Sequence, residues 1–255
     1  MKIEALQVFQ TAIQTFRAQY LSENHFQIRY NACHERGWSD AYLLVLGDVP
    51  IGYGCVKGME ALTDRDTIFE YYLAPNVRNR AGEAFEALIR ASGAHYIECQ
   101  TNEPLLTARL FEFAENIQAE VVLFGDGDAT ELTNPSCIFR QKTADDLDIF
   151  EHTIEPVGEY VLERDGDVVA TGGFLLHYNP PFADLYMEVR QDCQRQGLGS
   201  FLLQELARVC RQSGRIPAAR CNLQNRASRK ALAKAGLREV GFMAKGQIKG
   251  FNRID

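Results

Sequence analysis

The residues best suited to chemistry lie in one stretch, Gln194-Arg195-Gln196-Gly197-Leu198-Gly199-Ser200. An alternating run, Ala183 to Val189, leads into it, and an amphipathic pattern with Phe201, Leu202, Leu203 and Leu206 leads out. This is a strand, a tight turn and the start of a helix. The first N–H groups of a helix have no intrahelical partner and carry the positive end of its dipole, so such a turn can hold a phosphate. Gly197 and Gly199 leave room for a ligand against the backbone. The charge distribution points the same way. Of a net charge of −7, residues 190–255 carry 14 Lys and Arg against 4 Asp and Glu, a net +10, which leaves −17 on the first 189 residues. A basic quarter in an acidic chain suggests a local anionic ligand. No arginine-rich run or aromatic–basic interleaving suggests nucleic acid.

Other classes are disfavoured by composition. Seven cysteines are scattered, odd in number and never spaced C-x-x-C, which predicts reduced thiols rather than a disulfide framework or zinc site. Cys33 and His34 with His25 are the nearest thing to a metal cluster, and no metal is expected. No apolar run approaches the length that spans a bilayer, and Met1 to Tyr20 resembles neither a signal nor a transit peptide. The expected location is the cytoplasm, without a membrane partner, as a monomer or homodimer.

The elements that must position the loop can be read around it. Residues 3–20 show helical spacing at Ile3, Leu6, Phe9, Ile13 and Phe16, and a second helix is expected over 22–36. Strands are expected at 41–46, 51–56 and 67–73, a helix at 80–92, a strand at 95–100, a helix at 104–116 and a strand at 121–124. Turn formers crowd residues 125–136, which sets a division into domains 1–130 and 131–255. Beyond it follow a strand at 137–140, a short helix at 143–150, a hairpin with strands 160–163 and 168–176, the strand 183–189 and a helix at 198–212. A strand at 218–222, a helix from Asn225 to Ala235 ended by Gly236, and strands 239–243 and 248–251 complete the chain.

The two halves repeat. Tyr42-Leu43-Leu44 lies over Tyr160-Val161-Leu162, Phe69 to Leu73 over Leu185 to Val189, and Arg78 to Phe85 over Gln194 to Phe201. The strand and helix after each loop also match. Five elements in the same order indicate an internal duplication of a unit of about 100 residues.

Gln194-x-x-Gly197-x-Gly199, with Asn225-Arg226-Ala227-Ser228 and Lys234-Ala235-Gly236-Leu237 downstream, resembles the two motifs of the GNAT superfamily of acetyl-CoA-dependent N-acetyltransferases. The resemblance covers residues 158–245 directly and the remainder through the duplication. It implies an α/β (α+β) chain of two tandem GNAT-type domains, each a mixed, mostly antiparallel twisted sheet flanked by helices. It also implies transfer of an acetyl or short acyl group from acetyl-CoA to the primary amine of a small molecule or peptide. The pyrophosphate would sit on the N–H groups of Gln196, Gly197, Leu198, Gly199 and Ser200, with Gln194 and Arg195 at the phosphates. The pantetheine arm would line the strand edge Met187, Glu188 and Val189, where the N–H of Met187 or Glu188 would polarise the thioester carbonyl. Asn225 would cap its helix and hold the pantetheine amide, with Ser228 one turn on.

Two departures from the family pattern stand out. The position of the family's tyrosine acid is Leu232, so Ser228, Tyr178 and Tyr186 are substitutes by proximity only. Glu188 and Asp184 alternate onto one strand face, and either is placed to relay a proton, with His177 also nearby. The first copy has Ala81 and Glu83 where the second has Gly197 and Gly199, which puts a carboxylate in place of the pyrophosphate. That copy is expected not to bind coenzyme A. The opposing reading is a catalytically degenerate acyl-CoA-binding regulatory protein, favoured by Leu232.

Overall fold

Residues 1–146 and 149–250 are described by a computed structural model, in which they form two compact units. The first comprises residues 1–120 and 242–250, the second Val121–Gly241. The division expected at 130/131 therefore differs from these units in two places. Residues 121–130 sit with the second unit, and the last stretch returns to the first.

In the first unit, β1 (Ile3–Val8) leads through a 3-10 turn into α1 (Gln14–Glu23) and the short α2 (Asn31–Glu35). Strands β2 (Ser39–Leu46), β3 (Val49–Lys57) and β4 (Thr67–Leu73) follow, then α3 (Ala81–Ser92), β5 (Tyr96–Gln100), α4 (Pro104–Phe113) and the start of β6 (Ala114–Gly125). Neighbours from β1 to β4 pair antiparallel, and β4 joins β5 in parallel at Thr67 and Ile68 only. One face packs on α3 and α4 through Leu44, Tyr71, Leu73, Phe85, Leu88 and Leu106. The opposite face is sealed by α1 and α2 through Ile13, Tyr20, Ile28, Tyr53, Phe69 and Tyr72.

The second unit repeats this plan. It contains β7 (Ile138–Gln141), β8 (Tyr160–Arg164), β9 (Asp167–Leu175), β10 (Phe182–Val189), α5 (Leu198–Gln212), β11 (Ile216–Asn222), α6 (Arg226–Lys234) and the start of β12 (Arg238–Ile248). Pairing is antiparallel from β7 to β10, parallel between β10 and β11, and antiparallel between β11 and the end of β6. Helix α5 buries Leu198, Leu202, Leu203, Leu206 and Cys210; of the apolar residues read from the sequence, Leu202, Leu203 and Leu206 reach the core and Phe201 is half-buried. The equivalent loops share backbone bonds: Ala74 N–H donates to Ile51 O, and Arg190 N–H donates to Val169 O, each at 2.9 Å.

Several expectations are corrected. Residues 3–8 are a strand, not helix. Their helical spacing is coincidental, since Leu6 and Phe9 are 48% and 88% exposed and pairing with β2 decides the conformation. The helix expected over 22–36 shrinks to Asn31–Glu35. Helix α4 stops at Phe113, where β6 starts. The two closing strands are one strand, β12, whose later half pairs with β5; Phe251 lies outside the described residues. Residues 144 and 145 form a turn where a short helix was expected, and Leu147 and Asp148 of that stretch also lie outside them.

Candidate active site

The loop after β10 is built to present its backbone. Arg195 has φ +62° and Gly197 +83°, so two left-handed residues curl the chain just before α5. A Cβ at Gly197 would meet nothing within 4 Å, so glycine is needed there for its backbone conformation and not for space. Gly199 answers to space: a Cβ there would lie 3.0 Å from Met187 Cε and 3.6 Å from Val189 Cγ2. Gln194, Arg195, Gln196 and Gly197 are exposed, while Leu198 and Ser200 anchor the turn in the core. Arg164 Nη1 donates to Gln196 Oε1 at 2.7 Å, and Gln194 Nε2 donates to Val189 O at 3.3 Å. The helix start is thus open to solvent and fixed from behind, an arrangement that can take an anion.

Beside the loop the sheet parts. β10 pairs with β11 only at Phe182, Ala183 and Asp184, although β9 runs alongside β10 from Asp184 to Val189. The β11 side of residues 185–189 is therefore an open strand edge. Backbone alternation fixes which groups face it. Arg190 N–H points to β9, so Glu188 and Tyr186 point their N–H groups to β9 as well, and Met187 and Val189 point theirs into the gap. Of the two expected donors, Met187 has its N–H at the open edge and Glu188 does not. The Asn225 side chain accepts from Ser228 N–H at 3.0 Å and caps α6 as expected.

Asp184, Tyr186 and Glu188 share the face away from α5. Glu188, read as a proton acceptor, is otherwise engaged. One oxygen accepts from Thr153 N–H (2.9 Å) and Thr153 Oγ1 (3.0 Å), the other from Ile154 N–H (3.1 Å) and Glu155 N–H (2.8 Å). Burial alone would raise its pKa, but those N–H groups outweigh it and hold the carboxyl at about 2. So low a value makes a poor base near neutrality. Asp184 is buried and paired with Arg220 at 3.4 Å, and Arg220 also donates to Tyr178 Oη. His177 packs on Tyr178 with tilted rings, their centroids 4.3 Å apart. Tyr186 lies across the β9 backbone, where a Cβ on Gly173 would meet its Oη at 3.0 Å. Burial, then Glu159 and Glu155, raise the Tyr186 pKa, so the phenol keeps its proton at neutral pH. Ser228 is not brought to this face: it sits in the first turn of α6, where its N–H donates to the Asn225 side chain. Leu232 is buried in the core.

Sequence reasoning missed the segment His152-Thr153-Ile154-Glu155, which is strapped over β10 by Glu188. It has no regular structure and hence no periodicity to read. Arg220 was legible in principle, because a strand was expected around it and alternation along β11 would have marked its face.

The same positions in the first unit are closed. Pro75–Arg80 is a 3-10 turn, and Ala81 enters α3 at φ −60°, so no left-handed curl forms. Arg78 Nε donates to Leu73 O at 3.0 Å, the counterpart of the Gln194 bond, while Glu83 is held by Arg80 at 2.6 Å. Gln100 at the end of β5 donates to Gln27 O and accepts from Arg29 N–H, and Tyr30 packs on Phe69 of β4. Residues 27–30 therefore bridge the divergent ends of β4 and β5. Glu103 takes the place of Asn225 as a buried cap, accepting from Leu105 and Leu106 N–H. Cys33, His34 and His25, the nearest thing to a metal cluster in the sequence, are not expected to hold a metal. His34 has Cys55 and Glu70 as neighbouring donors within 4.8 Å, and Glu70 already accepts from Arg17 at 3.2 Å and Tyr53 at 2.7 Å.

Comparisons with known proteins bear on the family and the fold. An acetyltransferase (GNAT) family model matches residues 128–237, and an acetyltransferase (GNAT) domain model matches residues 10–127. A GNAT-family acetyltransferase from Colwellia psychrerythraea has a similar fold, at 16% identity and TM-score 0.75, covering 98% of this chain and 100% of its own. A tandem GNAT protein from the clavulanic acid biosynthesis pathway aligns at 10% identity and TM-score 0.57, covering 96% and 98%. A GCN5-related N-acetyltransferase from Sphaerobacter thermophilus aligns at 15% and 0.55, covering 96% and 95%. No curated protein matches the chain in sequence. Among the described residues no helix is long and apolar enough to cross a membrane.

Proposed function

The chain belongs to the GNAT acetyltransferase family, with one domain of that family in each half, and from that premise we propose that its second unit transfers an acetyl or short acyl group from acetyl-CoA to a primary amine. The observation that carries this reading is the left-handed loop at Arg195 and Gly197 set beside the open β10 edge. An anion on the start of α5 and an extended arm along Met187 to Val189 can be held together there. Gln194, Arg195 and the N–H groups from Gln196 to Ser200 take the pyrophosphate. Asn225 and the open edge take the arm. Met187 N–H polarises the thioester carbonyl, and the gain is largest where negative charge develops on that oxygen.

An amine attacks a thioester directly, so the protein supplies position and proton transfers. Tyr186, protonated and on the β10 face, is the donor to the departing thiolate. The acidic groups around it, Asp184, Glu155 and Glu188, favour a cationic acceptor. Thiol release from acetyl-CoA over a panel of small amines, amino acids and peptides tests the reading, with calorimetry measuring acetyl-CoA binding in parallel. Turnover with at least one amine is expected. Binding without turnover on any amine would sink the catalytic reading and leave an acyl-CoA-binding protein.

A further inference from the structure

Resting on acyl transfer at β10, we infer that Glu155 is the proton acceptor for the incoming amine, and that Glu188 and His152 are the positioning residues that hold it there.

The other candidates on this face are committed. Glu188 has both oxygens on the backbone of 153–155. Asp184 is buried against Arg220. His152 has Nε2 3.1 Å from Thr171 Oγ1 and Nδ1 3.1 Å from Glu155 O, with its ring stacked on Phe150. Glu155 itself is clamped at both ends of its peptide unit. Its N–H donates to Glu188 Oε2 at 2.8 Å and its carbonyl faces His152. A residue in an irregular segment is thereby fixed over the strand that carries Tyr186. Gly158 secures the exit of the strap: a Cβ there would lie 2.0 Å from Gly172 O, so only glycine lets the chain run this close to β9.

The surroundings suit a base. Glu155 is half-buried; the charges that act on it are Arg220 on β11 and Asp184 and Glu188 on β10, and it acts in turn on the Tyr186 phenol. Burial raises its carboxyl; Arg220 offsets part of that, and the two carboxylates add to it. A carboxylate above its ordinary range is a better proton acceptor near neutrality than Glu188 at about 2.

The proton count closes. The acceptor arrives as R–NH3+ and gives one proton to Glu155. The free amine lone pair forms the C–N bond at the thioester carbon. The C–S bond breaks, its electron pair leaving with sulfur, and Tyr186 protonates the thiolate. The nitrogen of the new amide then carries two protons; one stays as the amide N–H, and the other returns through water to the Tyr186 phenolate. The products are the amide, CoA-SH and the one proton that Glu155 passes to solvent.

The test compares wild type, Glu155→Gln, Glu155→Asp and Glu188→Gln, each as the full chain, with the best amine of the panel. For Glu155→Gln, kcat/KM is expected to fall about 100-fold or more while the acetyl-CoA Kd stays within about twofold, which excludes misfolding. The acidic limb of the wild-type pH profile should vanish, and Glu155→Asp should recover part of the rate. Glu188→Gln should shift that limb, a result that a merely structural contact would not produce. If wild type turns over and Glu155→Gln keeps both its rate and its acidic limb, the assignment of Glu155 is overturned alone. If wild type releases thiol with no amine, the acyl-transfer reading and this inference fall together.

Discussion

After β10 the backbone curls through Arg195 and Gly197 in the left-handed region before α5 begins. After β4 it winds through Pro75–Arg80 and enters α3 at Ala81, right-handed throughout. The flanking framework is the same in both units, down to a side chain bonded to the last carbonyl of the central strand, Gln194 to Val189 O and Arg78 to Leu73 O. The two units differ in what that framework presents. In the second it is exposed N–H groups and an open strand edge. In the first it is a Glu83–Arg80 pair, a bridge of residues 27–30 and a buried glutamate cap. The difference between the two loops is thus spread over backbone conformation, charge and cleft, and no single substitution accounts for it.

Gly197→Glu puts a carboxylate into the second copy's loop, two residues before the counterpart of Glu83, and should have the largest effect. A side chain at φ +83° is strained by about 1–2 kcal/mol, and the added charge repels the pyrophosphate. Calorimetry should show acetyl-CoA affinity weakened by about 100-fold or more. Gly197→Ala separates the causes, because its Cβ has open space. A loss of about tenfold is expected from strain alone. Unchanged affinity in Gly197→Glu would refute the loop assignment.

A smaller effect should separate the two caps, Glu103 and Asn225. Burial raises the Glu103 carboxyl, the N–H groups of Leu106 and Leu105 offset part of this, and the result is about 7. The folded value lies above the unfolded one of 4.5, so the stabilising contribution is full below about pH 4.5 and is lost as pH rises through about 7. Glu103→Gln does not ionise. Its melting temperature relative to wild type should therefore rise between pH 6 and pH 9, read by calorimetry at both. Parallel melting curves would show that Glu103 is not the buried acid described here. Asn225→Ala should cost about 1 kcal/mol at any pH in this range.

What could be read in advance follows from how local each signal is. The loop, α5 and Asn225 depend on near neighbours in sequence, glycine conformation, amphipathic spacing and capping, and all three were legible. β1 was not, because Ile3, Leu6 and Phe9 fit a helix until β2 supplies a partner. The exchange of β6 and β12 residues between units has no local mark. The role of Glu188 was hidden for the same reason. Its type and strand face were correct for a base, but the N–H groups that occupy it come from more than 30 residues away in an irregular segment.

The smallest expected effect is the most demanding of the comparison. Ala81→Gly with Glu83→Gly restores both glycines to the first copy and removes the offending carboxylate. If side-chain bulk and charge alone had closed that site, a second equivalent of acetyl-CoA should now bind. The structure argues against it. Arg78 stays paired with Glu23, Arg80 still donates to Met1 O, and the 3-10 turn that carries them begins at Pro75, upstream of both substitutions. The bridge at Gln27, Arg29 and Gln100 is also untouched. Calorimetry on the double variant should show one equivalent bound, with the wild-type affinity. A second equivalent would mean that the cleft between β4 and β5 opens on demand, and the contrast between the copies would reduce to two side chains.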